Sequence, residues 1–453
     1  MSAPQNPMAA PTTEVDYSGR VSLSFTIGCY LAVNAISDAY LLVDAPDCAH
    51  LKTQYLQSNH DWFSTLTSVD GIHRVANTDL HPWKIVAARD DQVGGMLKEL
   101  ASYSGAGAVF VTSMPMATIT GVDYDRLTRP VSLEIGKPVV NVPGNGLTGD
   151  WLDGFADTLK VLARVIDLDG HKPKGGNVAV VGYLMDRAEG DHRGNLAELR
   201  RLLAALGLRL GSVWLSGGSV ADLRAVRHAS AIVSLPYARD AARILAERLQ
   251  VPLVETGLPL GLHGSERWLA QVAEALGRGG RLAAVTDAEL QHAVPKIEWA
   301  VPHYLLHRTL VFVGDPHLAL AFEPVAEELG LRLERHFVLC RRVHARELLA
   351  RIGEAGVVID PTQRALERDT MALVGQGRCD LLVTNSIGYP PRAIRAAVLE
   401  LGFPSYFTHV LEERPFLFFR GLVNLVERMS NELRRAEIVA AAGAGGQSYE
   451  VRG

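Results

Sequence analysis

Asn177-Val178-Ala179-Val180-Val181-Gly182 is an apolar run closed by glycine. After a polar stretch from Tyr183 to Arg193 it leads into a helix-patterned segment, Leu196 to Leu206, that stops at Gly207. A short continuous apolar run suits a strand buried on both faces, and an apolar 3.6-residue period ending in glycine suits a helix with a left-handed cap. Leu208 to Leu215 and Ala231 to Leu235 read as further strands. The same pattern opens again at Thr309-Leu310-Val311-Phe312-Val313-Gly314-Asp315, with a helix to Leu329 and Gly330, then strands at Val357-Val358-Ile359-Asp360 and Asp380-Leu381-Leu382-Val383-Thr384-Asn385. Towards the start, Tyr40-Leu41-Leu42-Val43, Ala108-Val109-Phe110-Val111-Thr112 and Pro138-Val139-Val140-Asn141-Val142 read alike. Strands alternating with helices predict parallel sheets covered on both faces, so the fold class is α/β.

The chain has 453 residues, more than a single core serves, and suits about three domains of roughly 100 to 200 residues. The expected division is an N-terminal arm over 1–20, α/β domains over 21–166, 177–300 and 305–435, and a tail over 436–453, with the Gly/Lys/Asp-rich stretch 167–176 as a linker. Hydrophobic residues at 48% and charged residues at 21% predict a folded soluble protein. A net charge of -5 gives no electrostatic case for nucleic acid. The start lacks the basic segment and apolar stretch of a secretion signal, and no apolar run reaches the length a bilayer demands. Four cysteines point to a reducing cytoplasm rather than a disulfide scaffold.

Motif readings are sparse. Gly182 and Gly314 lack the G-x-G-x-x-G spacing of a dinucleotide site, and no G-x-x-x-x-G-K-[ST] run is present, so the chain is not expected to hydrolyse ATP itself. Two cysteines stand near Gly/Pro-punctuated turns: Cys29 after Ile27-Gly28, and Cys48 closing Val43-Asp44-Ala45-Pro46-Asp47. Thiolates in such turns suit an iron–sulfur cluster, against the alternative of buried inert thiols. Cys340 and Cys379 lack metal-site spacing and read as packed thiols, and the scattered tryptophans as core or interface anchors.

Several runs together resemble the nitrogenase component 1 superfamily: Tyr40 to Cys48, Thr78-Asp79-Leu80 with Asp90-Asp91-Gln92-Val93-Gly94-Gly95, Ala197 to Gly207, Asp380 to Gly388, and Pro415 to Leu425. The likeness spans about Gly28 to Leu433, and that superfamily includes the chlorophyllide and protochlorophyllide reductase subunits and cofactor-assembly scaffolds. It implies three Rossmann-like parallel-sheet domains, a 4Fe-4S cluster at a seam between two related subunits, and an ATP-dependent iron–sulfur protein that delivers electrons there. Cys48 matches the family's second ligand cysteine. The first usually lies nearer Ser24 than Cys29, and the third position falls near Met114, where no cysteine stands. Either a homodimer supplies Cys29 and Cys48 twice, or a cysteine-richer partner supplies three ligands and Cys48 the fourth.

The resemblance implies an oxidoreductase acting on an organic substrate such as a tetrapyrrole, because the second block lacks the cysteine that would hold a nitrogenase-type cofactor. A scaffold for metallocluster assembly shares fold and ligands and stays open. Candidate proton-handling residues are Asp186 and His192, in a loop that also carries Glu189, Asp191 and Arg193, and His263 in Pro259-Leu260-Gly261-Leu262-His263-Gly264. A solvated loop of weak ion pairs competes for the first group. His317 reads as an exposed helix-start residue, and Asn385 and Ser386 as either ligand-edge or capping residues.

Overall fold

The computed structural model describes residues 19–53, 56–57, 60–66, 73–81, 89–390 and 394–444. Most of the expected arm, the end of the expected tail, and Trp83 lie outside the described residues. The first domain runs α1 (Phe25–Asn34), β1 (Ala39–Asp44), α2 (Cys48–Thr53), β2 (Val75–Asn77), α3 (Asp90–Ser102), β3 (Ala108–Ser113), α4 (Pro115–Thr118), α5 (Tyr124–Ile135), β4 (Val139–Asn141) and α6 (Trp151–Val165). The second runs β5 (Asn177–Val181), α7 (Gly190–Ala205), β6 (Arg209–Val213), α8 (Val220–Arg224), β7 (Ala231–Ser234), α9 (Arg239–Leu249), β8 (Leu253–Glu255), α10 (Gly261–Ala275) and α11 (Gly279–Ile297). The third runs β9 (Thr309–Gly314), α12 (Pro316–Glu328), β10 (Arg332–Val338), α13 (Arg346–Ile352), β11 (Val357–Ile359), α14 (Gln363–Gly375), β12 (Leu381–Thr384), β13 (Ala397–Glu400) and α15 (Phe418–Ala444).

Three separate sheets result, in the orders β2-β1-β3-β4, β6-β5-β7-β8 and β11-β10-β9-β12-β13. Every pairing is parallel. The α/β class with three Rossmann-like domains therefore holds. The central strands β1, β3, β5 and β9 are buried along their whole length, which is why they read as unbroken apolar runs. Edge strand β6 is largely open to solvent and ends at Val213, short of the expected Leu215.

Two local expectations change. Cys29 does not follow a turn but lies inside α1, every residue of which is buried. Gly28 serves packing there: a Cβ on it would stand 1.9 Å from the Trp151 carbonyl oxygen, and one on Gly154 would stand 1.9 Å from that of Phe25. The two glycines let α1 and α6 cross backbone to backbone. Helix α7 starts at Gly190 rather than Leu196, so Asp191 and His192 belong to its first turn. Gly190 and Gly194, four apart, form a flat stripe against which residues 410–415 pass, since a Cβ on either would meet the Glu412 carbonyl or Pro415 nitrogen within 2.6 Å. Glycine's weak helix propensity hid this turn, and tertiary packing overrides it.

One apolar cluster continues through all three domains, from Phe25 and Phe155 through Trp214 and Trp268 to Phe312 and Phe419. Trp151 is also buried, whereas Trp62 and Trp299 are exposed. The chain's described start ties the first domain to the third, with Ser22 Oγ donating to Asp360 Oδ1 at 2.7 Å and Arg20 pairing with the same carboxylate. Among the described residues no helix is long and apolar enough to cross a membrane.

Replacing Gly154 by Ala tests the helix crossing. Helix propensity alone would raise stability by about 1 kcal/mol. Overpacking predicts a loss of about 1–3 kcal/mol instead, read as a lower denaturant midpoint at unchanged slope.

Candidate functional site

Cys48 is exposed and opens α2. Its turn is fixed from beneath by Asp44, the last residue of β1 and completely buried. Arg89 grips that carboxylate with two nitrogens, at 2.9 Å to Oδ2 and 2.7 Å to Oδ1. Thr78 and Tyr124 donate hydroxyls to it, both at 2.5 Å. A bidentate guanidinium–carboxylate pair buried on both sides has little freedom to move. The backbone around it is equally committed: Ala45 N–H donates to Thr78 Oγ1, and Met114 N–H to the Asp44 carbonyl. Asp44 is thus not free to ligate a metal, while Asp47 and Cys48 face outward. Cys29 is the opposite case. It has no exposure, its Sγ lies 3.7 Å from the Gly154 carbonyl, and burial pushes its thiol up to about 12.

A second constellation lies where the three domains meet. His192 Nε2 pairs with Asp186 Oδ1, and its Nδ1 stands 2.8 Å from the Tyr183 hydroxyl. From the first domain, His60 Nε2 meets the Asp186 carbonyl oxygen at 2.7 Å, while its Nδ1 accepts the third-domain Ser405 N–H at 3.0 Å. One Nε2–H tautomer satisfies both bonds. Arg187 bridges to Asp191 at 2.7 Å and to the Thr408 carbonyl at 2.8 Å, and Glu189 accepts from Val410 N–H and contacts His409 Nδ1 at 2.7 Å. Burial opposes ionisation of Asp186, but His192, His60 and Arg187 hold its carboxyl well below the usual range. Burial likewise works against charge on His192, and Asp186 and Asp191 prevail to raise it. The competing reading of a solvated loop does not hold: Asp186, Arg187, Glu189, Asp191 and His192 form a buried ion network.

Beside this network, a cavity of about 30 Å³ is lined by Tyr183, Asp186, His192, Tyr237 and Asp315. Tyr237 is also a wall of a larger cleft of about 400 Å³. That cleft lies between α6 and the carboxyl edges of the second and third sheets, with Arg239, His317 and His344 among its polar groups. Ligands of open α/β folds gather at such edges. His317 is half-buried rather than exposed, and burial pushes its imidazole down to about 3, leaving it neutral.

His344 lines the cleft. Asp150 caps α6, accepting from Leu152 N–H at 2.9 Å, and its other oxygen accepts Arg341 N–H at 2.7 Å. Arg341 also holds Asp153 at 2.6 Å, and His344 Nε2 lies 3.1 Å from the same carboxylate oxygen. Asp150, Asp153 and His344 bring donor atoms within 4.8 Å of one another. Arg341 already supplies the cation there, so the cluster reads as a latch between first and third domains.

The other expected residues fall elsewhere. His263 sits at the exposed start of α10, paired with Glu328 at 3.0 Å, and does not line the cavity or the cleft. Asn385 caps the turn after it through Ile387 and Gly388 N–H. Cys340 and Cys379 are buried. His60, Tyr237, Asp315 and His344 were not singled out from sequence. Only Asp315-Pro316 carries a local signal, that of a helix N-cap.

An exposed, rigidly mounted thiol and a cleft between sheet edges stand on a three-domain α/β fold. The chain belongs to the family described as nitrogenase component 1 type oxidoreductase, whose model matches residues 24–434. It is 24% identical over 378 residues to the nitrogenase molybdenum-iron protein alpha chain of Methanothermobacter thermautotrophicus, covering 78% of this chain and 74% of that one. It is 30% identical over 162 residues to a light-independent protochlorophyllide reductase subunit of Roseiflexus castenholzii, covering 31% of this chain and 28% of that one. The solved structure titled "Nitrogenase Cp1 at pH 6.5" shares the fold, with a TM-score of 0.76 at 16% identity over 96% of this chain and 95% of that one.

The latch gives stability a pH signature. Burial works against charge on His344, yet Asp150 and Asp153 raise it from 6.5 to about 9. A raised histidine contributes fully below its unfolded value and loses that contribution as pH climbs through the folded one. Unfolding free energy should therefore fall from about pH 6.5 to 9. His344→Gln should flatten that segment in denaturant titrations; an unchanged slope in the variant would remove the latch.

Proposed function

We propose that this chain is one subunit of a nitrogenase-like reductase. In this reading it receives electrons from a separate ATP-dependent iron–sulfur protein through a 4Fe-4S cluster at a subunit seam. It reduces an organic substrate in the three-domain cleft, tetrapyrroles being the class the resemblance suggests. The observation that carries the reading is the exposed Cys48 thiol, mounted on the Asp44–Arg89 pair directly after the central strand β1. Iron in such clusters prefers thiolate sulfur, and a bound cluster would supply one-electron relay.

The donor set fits a shared cluster. Cys48 offers one thiolate, Cys29 stays in the α1–α6 core, and position 114 carries the weakly donating thioether of methionine. Two copies of this chain would then offer two thiolates, so the remaining three ligands are assigned to a related, cysteine-richer subunit. The chain's own residues bind and orient. The cleft's volume falls in the range of small-molecule sites, about 300–1,000 Å³. His192 and Asp186, buried nearby, are suited to holding a proton that a reduction consumes. His263 is assigned no part in this.

Iron and sulfide analysis with native mass measurement, on protein purified anaerobically with its partner subunit, tests the reading. The assembly should carry one cluster per pair, Cys48→Ala should lose most of its iron, and Cys29→Ala should keep it. Iron-free assembly, or full iron in Cys48→Ala, would overturn the cluster assignment. A cluster-loaded assembly that never turns over with the reductase and ATP, and passes its cluster to an acceptor, would mark a scaffold instead.

A further inference from the structure

Asp315 is buried without a cation. Its Oδ1 accepts His317 N–H at 2.9 Å and Leu318 N–H at 3.0 Å, and the Tyr237 hydroxyl lies 3.1 Å and 3.2 Å from its two oxygens. No lysine, arginine or histidine pairs with it among the described residues. Capping α12 does not require a carboxylate, because serine or asparagine caps as well without a charge to desolvate. An acid kept there at a cost suggests a use for its proton. The surroundings point the same way. The cavity of about 30 Å³ that Asp315 lines is lined also by Asp186, His192 and Tyr183, and that volume has room for one or two waters. Tyr237 forms part of the wall of both the cavity and the 400 Å³ cleft, and its ring packs edge-on against His317 at 5.0 Å.

We propose that Asp315 and Tyr237 form a proton relay between the Asp186–His192 pair and the three-domain cleft. Protonated Asp315 donates its O–H to the Tyr237 oxygen while Tyr237 releases its own hydroxyl proton towards the cleft, so one proton leaves and Asp315 ends as a carboxylate. Imidazolium His192 then returns a proton through water in the cavity. No electron moves in either step. The relay rests on the reductase reading, because a reduction is what consumes the proton.

The charge balance supports it. Burial raises Asp315 to about 6, against the opposing pull of the Leu318 and His317 amides and Tyr237, and the Asp186 carboxylate adds to the rise. The titratable groups around it are Asp186, His192 and Tyr183 of the second domain, Tyr237 after β7, Cys340 after β10, and His317 on α12. His192 is the one held towards its charged form, and it is already committed to Asp186.

Infrared difference spectroscopy across a pH titration reads this without turnover. The full assembly should show a buried carboxylic-acid carbonyl band that disappears with a midpoint near 6. Asp315→Asn, which keeps the cap, should lack the band, and Tyr237→Phe should keep it at a shifted frequency. In the reductase assay, Tyr237→Phe should lower kcat on the order of 10²-fold with KM little changed and a larger solvent isotope effect. An Asp315 that stays ionised from pH 5 to 7, with no such band, overturns the relay. Full turnover in both variants overturns it too. A wild-type assembly that shows the band but never turns over would tell against the reductase reading and leave Asp315's titration standing.

Discussion

Charge buried where three domains meet has to be neutralised by the domains themselves, and that requirement governs the centre of this molecule. Asp186 and His192 belong to the second domain, His60 to the first and Ser405 to the third, yet they form one hydrogen-bonded group. Removing one partner of a buried ion pair typically costs about 3–5 kcal/mol, because the other charge is left uncompensated. The Asp186–His192 pair lies within the second domain, and His60, bonded to the Asp186 carbonyl and the Ser405 amide, together with the Glu189–His409 contact, ties the first and third domains to it. Glu400 extends the constraint by accepting the Tyr406, Phe407 and Thr408 amides, which fixes the path of the third-domain segment along α7.

This fixed junction sets the geometry of the cleft. Its walls come from α6, from the turn after β7, and from the starts of α12 and α13, so no single domain owns it. The Asp150, Asp153, Arg341 and His344 latch joins the first and third domains beside it. Cys48 obeys the same logic on the first domain's surface. The buried Asp44–Arg89 pair beneath it converts an exposed turn into a stiff mount, which suits the ligand role proposed for Cys48.

The sheets were legible in the sequence because their central strands are buried on both faces and are apolar over most of their length. β1, β3, β5 and β9 stand where their apolar runs predicted. The start of α7 was not legible, since Gly190 and Gly194 look like loop residues until the chain at 410–415 lies across them. Cys29 misled for a related reason: Gly28 reads as a turn but serves a helix crossing. Asp186 and His192 were singled out by residue type, but their burial was not legible. Their link to the other domains runs through His60, which lies 126 residues from Asp186 and 345 from Ser405. The cleft is invisible to local reading, being made of helix starts from separate domains.

In the function proposed, this chain offers iron a single outward thiolate at a seam with another subunit. An anaerobic structure of the assembled protein tests it most directly. It should show Cys48 Sγ bonded to iron between two chains while Cys29 remains packed between α1 and α6. Cys48 far from any partner chain and bare of metal, in protein never exposed to air, would contradict it.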